Sequence, residues 1–164
     1  MRARARTERE NMNAQELNRL ADMLALRGWR GALHADRIRN LPVGCSAVVN
    51  CCDTASRAGG HHWVAVFRRS RQRLELFGAS GLHPTQFRRI QMPPHTRLTY
   101  SRQRVQHAQS STCGLYAVYF CWLRSRGRMT WNFLHRDFSS NNLAANDRRI
   151  IAWCANVIDK AGGR

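Results

Sequence analysis

The chain has 164 residues, enough for one domain with a sizeable core, and a formal charge of +17 from 27 basic and 10 acidic residues. Lys160 is the only lysine, so the excess is almost pure arginine, whose planar fork suits phosphate; salt-sensitive binding to a polyanion, above all nucleic acid, is expected, with a merely solubilising basic surface as the plain alternative. There is no apolar leader near the N-terminus and no apolar run of about 18 residues that would span a membrane, so no membrane partner is expected. The six cysteines, at 45, 51, 52, 113, 121 and 154, then read as free thiols of a reducing intracellular compartment.

Residues 1–12 begin Met-Arg-Ala-Arg-Ala-Arg and read as a flexible basic arm, leaving 13–164 as a single domain. Asn13 and Glu16 form a capping pair for a first helix with an apolar stripe of Leu17, Leu20, Ala21 and Leu24, ended by Gly28. Residues 29–44, broken by Gly31, Pro42 and Gly44, read as irregular. Cys45 to Asn50 is a buried strand, followed by a polar loop from Asp53 to Gly60. His62 to Phe67 and Gln72 to Phe77 are strands joined as a hairpin by a basic turn, Arg68 to Arg71. A tight turn from Gly78 to Gly81, a short helix from Pro84 to Ile90 and a strand from Arg97 to Ser101 follow. The apolar run after Cys113 is a buried helix stopped by Gly127. Thr130 caps a short helix through Phe138. A terminal helix runs from about Ala144 to Lys160, turning Ile150, Ile151, Trp153, Cys154 and Val157 inward. Helix, strands, central helix, helices is an α+β order.

Chemistry concentrates between Gln106 and Tyr116. A small polar loop stops at Cys113, which stands at a helix N-terminus, where unpaired N–H groups and the macrodipole favour a thiolate. Gly114 lets a substrate carbonyl approach the backbone. An ordinary core cysteine is the plain alternative. A cysteine nucleophile needs a base, and His62 opens a strand at a sheet edge, with His61 turned the other way. Gln106, seven residues before Cys113, can fold its amide back as an oxyanion donor, with Gln103 and Gln109 as competitors. Cys45, Cys51, Cys52, His61 and His62 fit no zinc-ligand spacing, so no metal is expected.

Together these residues resemble the adenovirus protease (adenain) family of cysteine peptidases, distantly related to the SUMO-specific proteases. Gln15-Glu16-Leu17 in the first helix, Cys45 to Asn50, Gly59-Gly60, His62-Trp63 and Gln106-x6-Cys113-Gly114-Leu115 carry the likeness, with Thr130 to Trp153 more loosely similar. The resemblance implies an α+β fold with a small central mixed or antiparallel sheet packed on the helix that starts at Cys113, flanked by N- and C-terminal helices. It implies Cys113 as nucleophile, His62 as its base, and Gln106 with the Cys113 backbone N–H as oxyanion donors. Trp63 and Gly114 would support the site. It further implies a viral-type cysteine endopeptidase that cleaves virion (capsid or core) precursor proteins near glycine-containing sites, in the virion or host nucleus, with double-stranded DNA as activating polyanion. The arm residues Arg2, Arg4 and Arg6 and the turn residues Arg68, Arg69 and Arg71 are the expected DNA contacts, assigned from clustering.

Two departures stand out. The family's acidic position falls on Gly78, which leaves Glu75 or Asp53 as substitutes for the third catalytic group. Residues 82–112 contain no cysteine, so an activating peptide, if one is used, is not disulfide-linked there. A deubiquitinase or deSUMOylase on the same scaffold, or a non-catalytic DNA-binding virion protein that keeps it, are the alternatives.

Overall fold

A computed structural model describes residues 12–51, 62–87, 90–127 and 131–163. The expected positions Arg2, Arg4, Arg6, Cys52, Asp53, Gly59, Gly60, His61 and Thr130 lie outside the described residues. The fold is α+β. Its strands are β1 (Trp29–His34), β2 (Ser46–Asn50), β3 (Trp63–Ser70), β4 (Arg73–Phe77) and β5 (Arg97–Tyr100), in spatial order 1-2-3-4-5. The sheet is mixed: β1 and β2 are parallel, β2, β3 and β4 run antiparallel, and β4 and β5 are parallel. Four helices accompany it: α1 (Ala14–Met23), α2 (Cys113–Ser125), α3 (Phe133–Asp137) and α4 (Leu143–Gly162).

β2, β3 and β4 read as nearly continuous apolar runs because both faces of the sheet are covered. On one face Val48, Trp63, Ala65 and Phe77 pack against Leu17, Tyr116, Phe120 and Ile150 from the helices. On the other, Ala47, Val49, Val64, Val66, Leu74 and Leu76 pack under Ile38, Leu41 and Phe87. The central helix α2 is buried along nearly its whole length, so its apolar residues surround it rather than forming a stripe. No helix among the described residues is long and apolar enough to cross a membrane.

The Asn13–Glu16 capping box forms in both directions. The helix ends at Met23, however, before Gly28: Ala25 already has a φ of 49°, and Gly28, at φ 73°, has the Gly44 carbonyl 2.7 Å from where a Cβ would sit. Residues 29–44, expected to be irregular, hold β1 and a 3₁₀ turn at Ala35–Asn40. A half-exposed edge strand containing Gly31 carries little of the period-2 signal that marks a strand in sequence. The expected helix at Pro84 to Ile90 is only a 3₁₀ turn, Pro84–Gln86. In α4, Ile150 and Cys154 are buried as expected, but Ile151 is 44% exposed. Arg68 belongs to β3 rather than to an exposed turn, and its buried guanidinium donates to the carbonyls of Arg71 and Arg39. Met12, counted with the arm, accepts from Trp63 Nε1 at 2.8 Å and packs on the core.

Candidate active site

The N-terminus of α2 meets the start of β3 through a glycine. A Cβ on Gly114 would lie 2.9 Å from Leu17 Cδ2, 3.4 Å from Trp63 Cδ1 and 3.6 Å from Met12 Cβ. Any side chain there would push α2 away from Trp63, so Gly114 sets the approach of the Cys113-Gly114 and His62-Trp63 backbones. Cys113 is the first residue of α2 and is 3% exposed. Trp63 is fixed from above by its bond to the Met12 carbonyl.

Gln106 reaches the side of His62 from another direction. Ala79 accepts through its carbonyl from both Val105 N (2.9 Å) and Gln106 N (3.1 Å), which ties the loop before α2 to the turn after β4. One side-chain N–H of Gln106 donates to the Ser110 carbonyl at 2.7 Å; a primary amide has a second N–H to offer. His62, Ser80, Arg104, Gln106, His107, Ala108 and Ser110 line one cleft of about 110 Å³. The base and the amide expected from the sequence therefore share a cleft. Gln103 and Gln109 do not line it. A larger open cleft, of about 460 Å³, lies along β1 and the turn after it, lined by Arg30, His34, Arg37, Asn40 and Leu41; it offers no thiol among the described residues.

The imidazole of His62 is half-buried and stacks on Phe87, with ring centroids 5.5 Å apart and planes 24° apart. Burial lowers its pKa from the ordinary 6.5, favouring the neutral base. Cys121 and Cys154 are pushed the other way: burial raises the Cys121 thiol to about 12 and lifts that of Cys154 as well, so neither is a ready nucleophile.

Of the two substitutes expected for the third group, Asp53 lies outside the described residues and Glu75 lies away from His62. Glu75 is opposite Phe67 in the β3–β4 register, five positions along β3 from His62, or about 16 Å at the rise of a strand. Its carboxylate, 2% exposed, is bound by Arg124, with Arg69 at 3.5 Å. Glu75 thus belongs to an ion pair at the far end of α2. Gly78 is no better as an acid position. Continuing the register from Ala65↔Phe77 sets Gly78 opposite Val64, and a Cβ on Gly78 would meet Val64 Cγ1 at 3.3 Å and Phe87 Cζ at 3.7 Å. A side chain there would enter an apolar cluster.

Sequence reasoning missed the residues that hold the loop. Asp147, near the start of α4 and 8% exposed, accepts from His107 N (3.1 Å), Thr112 Oγ1 (3.1 Å) and Tyr116 OH (2.9 Å). That carboxylate, together with burial, drives the Tyr116 pKa upward. Thr112 gives its hydroxyl to Asp147 and makes no cap bond to α2. The neighbouring Asn146 donates to the carbonyls of Val105 (3.0 Å) and Ser139 (2.7 Å). Asn146 and Asp147 thus grip the loop on both sides of Gln106. An Asn-Asp pair in the first turns of a helix reads in sequence as capping chemistry, so nothing marked it as a clamp.

No family model and no curated protein matches the chain. Among solved structures it is similar to selenomethionine-labelled ASFV pS273R protease, at 23% identity and a TM-score of 0.40 over 65% of this chain and 43% of that one. The chain spans less than half the length of that protease.

Proposed function

We propose that the protein is a cysteine endopeptidase in which Cys113 attacks a peptide carbonyl, His62 takes the thiol proton and returns it to the leaving amine, and Gln106 with the Cys113 backbone N–H holds the oxyanion. The observation that carries this reading is the convergence at one spot of three segments distant in sequence. Gly114 packs on Trp63, and His62 and Gln106 line one cleft. A helix N-terminus beside a neutral imidazole and an amide N–H is the equipment for acyl transfer to sulfur. The finer reading is a viral-type enzyme that processes virion precursor proteins near glycine-containing sites, with double-stranded DNA as an activating polyanion. The +17 charge and the close approach allowed by Gly114 support it.

The test is Cys113-dependent cleavage of a fluorogenic peptide ending in Gly-Gly, with and without DNA, in wild type and Cys113→Ala. Turnover that vanishes in Cys113→Ala and persists in Cys45→Ala is the expected result; turnover unchanged in Cys113→Ala overturns the protease reading. DNA binding is tested by titration at rising salt, where affinity falls steeply if counterions are released. Arg71 is exposed and remains a contact in this proposal; Arg69 is exposed but shared with Glu75, and Arg68 is a buried structural residue.

A second reading has one observation in its favour. No carboxylate lines the His62 cleft among the described residues. A non-catalytic DNA-binding protein on the same scaffold fits that, and salt-sensitive DNA binding with no Cys113-dependent turnover would establish it.

A further inference from the structure

We infer that Ser80 is a residue that orients His62. The inference rests on the protease reading above. Ser80 Oγ lies 3.4 Å from His62 Nε2, where the turn that follows β4 comes back beside the residue that precedes β3. Both residues line the cleft that holds Gln106.

Ser80 is held in place by its neighbours. Gly81 donates its N–H to the Gly78 carbonyl at 3.0 Å and closes a tight turn around Ser80. Gly81 has a φ of +68°, and its missing Cβ would lie 2.8 Å from Arg104 N and 2.9 Å from Arg102 O, so the turn is pressed flat on the segment before Gln106. On the other side of Ser80, the Ala79 carbonyl accepts from Val105 and Gln106. Phe87 stacks on one face of the imidazole. The ring can therefore neither slide nor tilt freely.

The proton inventory follows. For Nδ1 to accept the Cys113 proton it must carry a lone pair, so the hydrogen of the neutral ring sits on Nε2 and is donated to Ser80 Oγ. When the thiol attacks, its proton moves to Nδ1 and later to the leaving amine. Ser80 gains and loses no proton. A hydroxyl fixes the tautomer as a carboxylate would, but it brings no charge to hold the imidazolium. Ser80 is thus a positioning residue, and its support differs from that of an acid in its pH response. Among the described residues, the other charged and titratable groups lining the cleft are Arg104 and His107, neither of them an anion.

Three variants test this on the Gly-Gly fluorogenic peptide. Ser80→Ala removes one half-buried oxygen, and kcat/KM should fall about tenfold with KM nearly unchanged. Ser80→Thr, which keeps the hydroxyl, should recover most of that loss. In Ser80→Asp the carboxylate reaches further than the hydroxyl and closes on Nε2, and the acidic limb of the pH profile, set by protonation of the neutral base, should move up by about one unit. Nitrogen-15 spectra of His62 should show the Nε2–H tautomer in wild type and a mixture in Ser80→Ala. If wild type shows Cys113-dependent turnover while Ser80→Ala leaves rate, pH profile and tautomer unmoved, the orienting role is overturned and the protease reading stands. If wild type has no Cys113-dependent turnover, both fall.

Discussion

Each end of α2 rests on a buried carboxylate, and the two are satisfied in different ways. At the C-terminal end Glu75 is neutralised by Arg124 and approached by Arg69, while Arg124 also lies over the rings of Phe67 and Phe120 at 4.9 and 6.0 Å. At the N-terminal end Asp147 is met, among the described residues, by neutral donors: two hydroxyls and a backbone N–H. The first arrangement fixes a helix to a sheet by charge. The second fixes a loop to a helix by direction, without a charged partner among the described residues. Glu75 and Asp147 are separated by most of the 13-residue helix, roughly 16 Å from Cys113 to Arg124 at 1.5 Å per residue. That separation is why Glu75, three residues before the expected acid position, lies away from His62.

The sharpest way to break the comparison is to remove the cation at the charged end. Arg124→Ala leaves Glu75 buried with only the exposed Arg69 nearby, and losing one partner of a buried pair typically costs about 3–5 kcal/mol. Urea denaturation should show a loss near the lower end of that range. A loss under about 1 kcal/mol would mean the pair behaves as a surface bridge. At the other end the first effect is on rate. Gln106→Ala should reduce turnover by roughly 100-fold, the usual effect of deleting an oxyanion donor, with Gln103→Ala and Gln109→Ala near wild type. An equal loss in Gln109→Ala would mean the loop presents a different amide in the working enzyme.

Asp147→Asn probes the directional anchor itself. The substitution keeps the shape but leaves one accepting oxygen; Thr112 and Tyr116 share Oδ1, so with the amide oxygen there it is the His107 N–H, on Oδ2, that loses its acceptor. Stability should fall by about 1–3 kcal/mol and turnover by about tenfold as the loop loosens, with Tyr116→Phe reproducing part of the first effect and little of the second. Gly78→Asp gives a smaller effect and has the opposite sign from what an acid position would give. Its Cβ enters the cluster of Val64 and Phe87, so turnover should not rise, and thermal stability should fall more than in Gly78→Ala, which tests the space alone. A rise in turnover would restore position 78 as the acid site.

These outcomes bear on what could be read from the chain. The start of α2 at Cys113 was legible because a polar run ending in Cys-Gly before a long apolar stretch combines local signals: a break in periodicity, a helix start and a glycine. The hairpin and the buried strands were legible for the same reason, as period and breakers agree there. β1 was not, since an edge strand with a glycine at φ 104° and mixed exposure has no clean alternation. Nor were Ser80 and Asp147. Their roles depend on packing between segments some 18 and 35–40 residues apart, and a serine in a tight turn or an aspartate early in a helix already has a sufficient local explanation. The arginine count suggested a basic patch but could not separate Arg68, buried on carbonyls, from exposed Arg71.

The smallest effect distinguishes a resting neutral pair from a resting ion pair. Burial holds His62 below its ordinary 6.5. The unfolded chain therefore takes up this proton first as pH falls. The contribution of a neutral His62 to stability is complete above the unfolded value and is lost as pH drops through the folded one. Asp137, held down by its bonds from Arg136, has the same sign, but its window begins near its ordinary 3.8 and lies outside the range. Comparing unfolding free energies at about pH 7.5 and 5.5, wild type should lose more than His62→Gln at fixed salt, and other histidines cancel in the difference. If Cys113 instead held His62 as imidazolium at rest, the folded pKa would be raised and the sign would reverse: wild type would gain on His62→Gln as pH falls. Repeating the pair of measurements in Cys113→Ala separates the cases, because only an ion pair disappears with the thiol. A reversal that vanishes in Cys113→Ala would show the thiolate prevailing over desolvation, and Ser80 would then be orienting a charged ring rather than a neutral one.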